Sequence, residues 1–585
     1  MSRRIPVSKF GTAIVSHYYR VLTIDLFGPL RAWMQKGGKP QVFHSQPLAF
    51  IFGQKETGLA LSKGHFNYAG QRLDVGAQGD PWTVAVPSER FAAWLHGFGW
   101  LSDLSKSGDK QALLRGRELV DSWIANYGKF NNFSWDSNIL TDRLFHWLAF
   151  WSPLLTADNM SEAAQVRRQS VLRQLKYLRS IYKRTQPGLY RLRAAATLVL
   201  GGMRLKDKEA DRFLSQGLDW LDDEIEAQIL PDGGHISRSP EQSLQALETL
   251  IIIDSLLQKR GVEGSKSMSR AIDRLTPVIK FFTGADGRLA NFNGAGENDK
   301  AHLKAVLKAT QKLRKSAPAK AFGYCPHSGF QRIEQDGTVL LLDAGGSPQQ
   351  RPYDSEAHLG PLAFELSTKL GRLIVNCGWS DEQSLRFRQV VRTTAAHSTL
   401  TLNNKDAGGL VNTGWKTRIL GPAISEDAGP VNASRKEQNM GTWLEASHDG
   451  YRASTGLSHK RRFFMSDDGQ DLRGEDSLAV PLGATPISRD EIPFDIRFHL
   501  HPDVRVSLSQ DQQSALLIQN GKAGWRFRTD GGPLSIESSI YLGRGTVPMK
   551  SQQIVIPGRA FCDGDGTTKS NRVRWSFKKL ESARG

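Results

Sequence analysis

A chain of 585 residues is longer than one hydrophobic core organises, so at least two domains are expected. With 39% hydrophobic and 23% charged residues it has the composition of a soluble globular protein, and no run reaches the roughly 20 apolar residues of a membrane span. The formal net charge of +18 points to an anionic partner, but the basic residues are spread along helices, without zinc-finger spacing or an aromatic RNA-binding motif, which argues against a dedicated nucleic-acid reader.

At the N-terminus Ser2-Arg3-Arg4 resembles the start of an export signal, yet His17, Tyr18, Tyr19, Arg20 and Asp25 interrupt its apolar core, so there is no clear signal peptide. Residues 10–34 mix aromatic, aliphatic and basic side chains, as in a packed first helix or, less commonly, one lying on a membrane surface. Short extended pieces and glycines over 41–86 read as a connecting arm, giving an N-terminal segment 1–90. From 91 to 320 the pattern becomes successive amphipathic helices, with apolar periodicity over Leu113 to Tyr127, Leu140 to Leu155, Val166 to Tyr182, Leu192 to Leu205 and Phe213 to Ile229. Short breaks between them predict antiparallel hairpins in a ring or an irregular array. Within this half, Asn132 leads into a helix that carries Arg143 and Trp147 four residues apart on one face. A cation beside an aromatic ring suits an acidic sugar, or equally a structural ion pair beside a core tryptophan.

The loop Pro231-Asp232-Gly233-Gly234-His235-Ile236-Ser237-Arg238-Ser239-Pro240 joins two helices. Its glycines permit a tight turn or close approach, and Ser237 and Ser239 can cap the next helix. This is either a capped turn or a site built on His235 and Arg238. A second junction, Leu289 to Gly296, carries Asn293. Residues 315–320 mark a boundary, after which β-type runs such as Thr338 to Leu342, Leu373 to Val375, Ser398 to Leu402, Val504 to Leu508, Trp525 to Arg528 and Arg572 to Phe577 predict an antiparallel β-domain over 321–585. Glu356 and His358 precede one strand, Asn376 ends the next and His397 leads into a third, so two histidines could converge on a metal or a reacting group. His499 and His501 share a strand face while Phe498 and Leu500 point into the core, which favours a structural role for that pair. Cys325, Cys377 and Cys562, odd in number, form no disulfide framework.

In order along the chain, Asp232-Gly233-Gly234-His235, Ala357-His358, Thr394-Ala395-Ala396-His397, His448-Asp449-Gly450-Tyr451 and Phe498-His499-Leu500-His501-Pro502 resemble the heparinase II/III family of polysaccharide lyases. The resemblance implies an incomplete (α/α) toroid followed by an antiparallel β-sandwich, with a cleft lined by His235, Tyr190, Arg143 and His358. It implies β-elimination on an acidic, uronic-acid-containing polysaccharide, with His235, Tyr190 and His358 catalytic and Arg143, Trp147, Asn132, Arg238, Asn293 and Glu356 binding substrate. A non-catalytic acidic-glycan-binding member of the same fold is the alternative. The chain departs from the family where Ser237 and Gln242-Ser243 replace a glutamate and a tyrosine–histidine pair, and where Gly188-Leu189-Tyr190 replaces Gly-Asn-His, leaving Tyr190 as the nearby phenol. No cofactor is expected to be required: His358 and His397 match a zinc site, but Asn376 stands where its aspartate would be, and an amide is the poorer ligand. The resemblance places the protein in the cell envelope or periplasm; the lack of a clear signal leaves the cytoplasm as the alternative.

Overall fold

The computed structural model describes residues 28–34, 44, 48, 50, 52–150, 161–206, 208–348, 353–411, 423–481, 484, 490–563 and 571–580. The export-like start and most of the 10–34 segment lie outside these residues. Two compact units emerge, one of residues 1–229, 244–276 and 301–318, the other of 230–243, 277–300 and 319–585. No helix among the described residues is long and apolar enough to cross a membrane.

The first unit is a series of helices, the successive helices that the periodicity predicts and that the resemblance arranges as an incomplete (α/α) toroid. Lys110–Tyr127, Ser137–Ala149, Glu162–Ile181, Leu189–Arg204 and Lys208–Gln228 correspond to the five apolar runs, the end of the second, 151–155, lying outside the described residues. Several begin a few residues before the first apolar position because a polar cap sets the start. Asp109, Asp136 and Ser161 accept backbone N–H bonds from Gln111, Asn138 and Ala164. The stretch read as an extended arm instead carries the helix Lys55–Ser62 and the hairpin His65–Tyr68 with Gln71–Asp74. Leu61, Phe66 and Trp82 of this stretch are buried, and the Trp82 indole N–H donates to the Leu119 carbonyl at 2.9 Å. Its elements are too short for periodicity to reveal; burial of three large side chains holds them.

The second unit is a β-sandwich of two antiparallel sheets. One sheet has eight strands, in the order Asn432–Gln438, Gly441–His448, Ser458–Ser466, Asp471–Ala479, Arg572–Lys579, Ala523–Thr529, Ser514–Gln519, Val504–Leu508. The other runs Ser535–Tyr541, Met549–Phe561, Glu491–Leu500, Gly371–Val375, Phe364–Thr368, Thr338–Asp343, Phe330–Gln335, Tyr324–Cys325, with Leu400–Leu402 also beside Glu491–Leu500. Alternate residues of both sheets, including Phe364, Phe463, Phe498, Leu500, Phe527, Trp575 and Phe577, share one core.

The sheets differ in pattern. Thr338–Asp343 and Phe364–Thr368 are buried at every position, whereas Gly441–His448 and Ser458–Ser466 alternate between buried and accessible. The reason is a second cover: segment 277–300 packs on the nine-stranded sheet. Arg332 donates to the Phe281 and Thr283 carbonyls at 2.7 and 2.8 Å, and the Ser367 hydroxyl accepts from the Ala285 N–H at 3.0 Å.

Candidate active site

The loop bearing His235 is fixed to the sandwich by Asp232. One oxygen of its carboxylate accepts the N–H of Gly234 at 3.0 Å; the other accepts the N–H groups of His327 and Ser328, at 2.8 and 2.7 Å, and the Ser328 hydroxyl at 3.0 Å. Both glycines are required. Gly233 has φ +91°, and a Cβ on Gly234 would lie 2.7 Å from that of Ser328. The His235 Nδ1 accepts from the Ser237 N–H at 3.1 Å and lies 2.7 Å from its hydroxyl, so the ring proton belongs on Nε2. His235 is wholly buried, and that desolvation brings its pKa down to about 3, keeping the imidazole neutral. Ser239, the other cap expected from sequence, does start the next helix, its hydroxyl accepting from the Gln242 N–H at 3.5 Å.

Tyr353 stands beside this imidazole, ring centroids 6.3 Å apart and nearly perpendicular. Sequence reasoning missed it, although it immediately precedes the Asp354-Ser355-Glu356 segment; its pairing with His235 is a long-range contact without a local signal.

Arg238 and Asn293 join the loops to the sheet. Arg238, itself at φ +60°, donates to the Ser328 and Gly329 carbonyls at 2.7 and 3.2 Å, pairs with Asp343 and lies 4.6 Å over the Phe330 ring. The Asn293 amide donates to the Arg238 carbonyl at 3.1 Å and accepts the His358 N–H at 3.0 Å. The Gly294 N–H donates to His358 Nε2 at 3.1 Å. Glu356 is paired with Arg388. Asn293 and Arg238 therefore link the His235 loop to His358, with their polar atoms turned to the fold.

His358 and His397 come together, ring centroids 4.9 Å apart, in a space that Gly360 keeps open: a Cβ there would lie 2.7 Å from the His397 ring. Burial lowers the pKa of both, helped at His358 by the neighbouring His397 and at His397 by His499. Asn376, buried, follows the strand Gly371–Val375; its amide oxygen accepts the Ser398 N–H at 3.1 Å, while its amide nitrogen has no hydrogen-bond partner among the described residues. A zinc ion does not fit this donor set. It offers two imidazoles without a carboxylate, the one oxygen of Asn376 is engaged, and no group of three or more His, Cys, Asp or Glu side chains suited to a metal occurs among the described residues.

A further buried network was invisible in the sequence. Glu297 accepts from Tyr541 at 2.7 Å and pairs with His501 at 2.8 Å, Arg372 pairs with Asp286 at 3.1 Å and lies 3.6 Å from Glu365, and the Asn291 amide donates to the Tyr541 hydroxyl at 2.7 Å. Burial raises the Glu365 carboxyl to about 7 despite Arg372, whereas the bond from His501 and the charge of Arg372 overcome burial to hold Glu297 well below the carboxylate range. His499 contacts Ala395 and Ser539 rather than a metal partner.

In the helical unit Arg143 is wholly buried, donating to Gln174 at 2.8 Å and the Ser134 carbonyl at 2.7 Å, with its guanidinium 4.1 Å over the Trp123 ring. Trp147 packs perpendicular to Trp123 in the same core. Asn132 is exposed, and Tyr190, in the first turn of Leu189–Arg204, is 39% exposed.

Comparison with known proteins gives a consistent picture. The family described as Heparinase II/III N-terminus matches residues 117–317, and that described as Heparinase II/III-like, C-terminal matches 317–576. FtsZ-localized protein C of Caulobacter vibrioides is 34% identical over 528 residues, covering 90% of this chain and 88% of that protein. Among solved structures, heparinase III aligns with a TM-score of 0.69 at 14% identity, covering 98% of this chain and 92% of that one. A mutant of heparan sulfate lyase HepC from Pedobacter heparinus aligns at 0.61 and 16% identity, covering 100% and 92%. At these identities the structural likeness establishes the fold.

Proposed function

The chain belongs to the heparinase II/III family, and on that premise we propose that it is a lyase-like protein acting on an acidic, uronate-containing polysaccharide by β-elimination. The observation that carries this reading is the pairing of a neutral imidazole, His235, with a phenol, Tyr353, on a loop fixed by Asp232. Removing a uronate C5 proton requires a donor that neutralises the adjacent carboxylate, a base at C5 and an acid at the departing O4. A neutral His235 suits the first role, through its Nε2–H. The phenol of Tyr353 takes the C5 proton as the C5–H pair forms the C4–C5 double bond and the C4–O4 bond breaks; a protonated phenol returns a proton to O4. His358, held by Asn293 and Gly294, acts as a positioning residue for the loop. Arg143, wholly buried, stabilises the helical core in this reading.

Incubation with a panel of acidic polysaccharides, read by the absorbance of an unsaturated uronate, tests the chemistry. Tyr353→Phe and His235→Ala are each expected to lower the rate by a factor on the order of 10² or more, with glycan binding largely retained. Binding without product, across pH, would sink the enzyme reading. It would leave a glycan-binding member of the same fold, a second reading that the full enclosure of His235 favours.

The Caulobacter relative adds a place of action, described as FtsZ-localized. We infer that this chain acts on an envelope glycan where FtsZ gathers. A fluorescent fusion that spreads evenly in cells with visible FtsZ rings would refute that location.

A further inference from the structure

We propose that the solvent-facing side of the eight-stranded sheet is a second, non-catalytic track for an acidic polysaccharide chain. The proposal rests on the glycan class inferred above and extends it to a surface made only of sandwich residues. Cross-strand register puts Lys436, Trp443, Phe464, Arg473, Ser576 and Arg528 side by side on successive strands. Their sequence neighbours Leu444, Phe463, Leu472, Trp575 and Phe527 turn the other way, into the core, so this row faces out. With strands about 4.8 Å apart, six neighbouring positions make a track of roughly 24 Å.

The chemistry of the row is specific. Trp443 is 46% exposed and packs on Phe464 with centroids 4.8 Å apart, an aromatic platform that a folded chain has no internal reason to leave in water. The adjoining open concavity, about 610 Å³, is lined by Trp443, Phe464, Arg462, Arg473, Arg528 and Arg574 among others. Glu475 is shared by Arg462 at 3.2 Å and Arg574 at 3.1 Å, Arg462 also pairs with Glu445 and Arg473 with Asp471 at 2.7 Å, and Arg528 makes no ion pair among the described residues. Arg528 therefore keeps its donors, and the two arginines that share Glu475 keep part of theirs, for a ligand carboxylate or sulfate.

A sugar chain fits this combination better than the other polyanions. Its rings stack their C–H faces on indole, and its hydroxyls can donate to Glu445, Glu475 and Asp530, which lie on or beside the same face and would repel the closely spaced phosphates of a nucleic acid. A bilayer offers a flat surface, whereas this one is concave.

The test uses the full chain and three probes: polymeric hyaluronate, heparan sulfate, and tetrasaccharides made from each. The variant Trp443→Ala/Arg473→Gln/Arg528→Gln alters accessible side chains and is expected to bind polymer on the order of tenfold or more weakly, with turnover or binding of tetrasaccharides unchanged. Trp443→Tyr, which keeps a stacking ring, is expected to retain most of the affinity. Equal polymer binding by wild type and triple variant would overturn the proposal. So would wild-type binding to phosphatidylglycerol vesicles or duplex DNA but not to either polymer. Loss of polymer binding in His235→Ala but not in the triple variant would place all glycan contact at the candidate active site and refute the track alone. Loss in the triple variant while the wild type forms no unsaturated product would support the track and refute the lyase reading alone.

Discussion

The two outward faces of the sandwich use the same residue type in opposite ways. Where segments 230–243 and 277–300 cover the nine-stranded sheet, the arginines are spent internally: Arg238 on Asp343, Arg332 on two carbonyls, Arg372 on Asp286 and Glu365. On the outward face of the eight-stranded sheet Arg462, Arg473, Arg528 and Arg574 stand in water, and the first, second and fourth share Glu445, Asp471 and Glu475. An internal guanidinium joins segments distant in sequence and has little left for a ligand; an exposed one contributes little to stability and keeps its donors. A net charge of +18 therefore does not by itself locate a binding surface; burial decides which cations can act on a partner.

Acid should break the comparison most strongly, because the buried histidines lie within the covered side and the core, while the open arginine row has none. Burial brings His235 to about 3, His499 to about 4 and His448 well below its ordinary 6.5. Each stays neutral when folded but protonates when unfolded. Their contribution is therefore full above pH 6.5 and is lost as pH falls toward their folded values, by about 1.4 kcal/mol per histidine per pH unit. Glu365 acts in the other direction: raised to about 7, its contribution is full below the ordinary 4.5 and is lost as pH rises through 7. Denaturation midpoints across pH check both limbs, and a flat acid limb would contradict the neutral assignment of the histidines.

A pair of arginine substitutions is the next sharpest contrast. Arg372→Met leaves Glu365, Glu297 and Asp286 without their shared counter-charge and is expected to cost about 3–5 kcal/mol. Arg473→Gln on the open face should change stability by no more than about 0.5 kcal/mol. Chemical denaturation of the two variants should separate them clearly. The smallest effect is expected from chelation: with Asn376 beside the histidine-bearing segments in place of a carboxylate, dialysis against EDTA should leave the melting temperature unchanged, and elemental analysis should find no stoichiometric zinc.

The helical half was legible because its elements are long and their apolar period is strong; Lys110–Tyr127 needed only its Asp109 cap to fix the start. The sandwich was legible as a class, and Phe498 and Leu500 do enter its core. What stayed hidden were partnerships. Glu297 meets His501 across 204 residues and Asn291 meets Tyr541 across 250, and no local pattern encodes either. Tyr353 escaped notice for the same reason: a phenol gains meaning only from the imidazole beside it. Arg143 and Trp147, correctly placed on one helix, were ambiguous because the same spacing serves a ligand or a core.

Three of the four hydrogen bonds of Asp232 tie a residue that precedes the family boundary at 317 to the first hairpin after it. During synthesis the His235 loop must therefore wait for His327 and Ser328 to emerge before it can take its final form. The same bonds restrict what recombination can do. A chimera spliced at residue 317 would inherit loop and anchor from different parents, and would keep the loop's geometry only if the incoming hairpin offered the same backbone donors. In this chain the heritable module is set by contacts that cross the splice, so exchange of whole compact units, with segments 230–243 and 277–300 travelling with the sandwich, preserves what exchange at the linear boundary would divide.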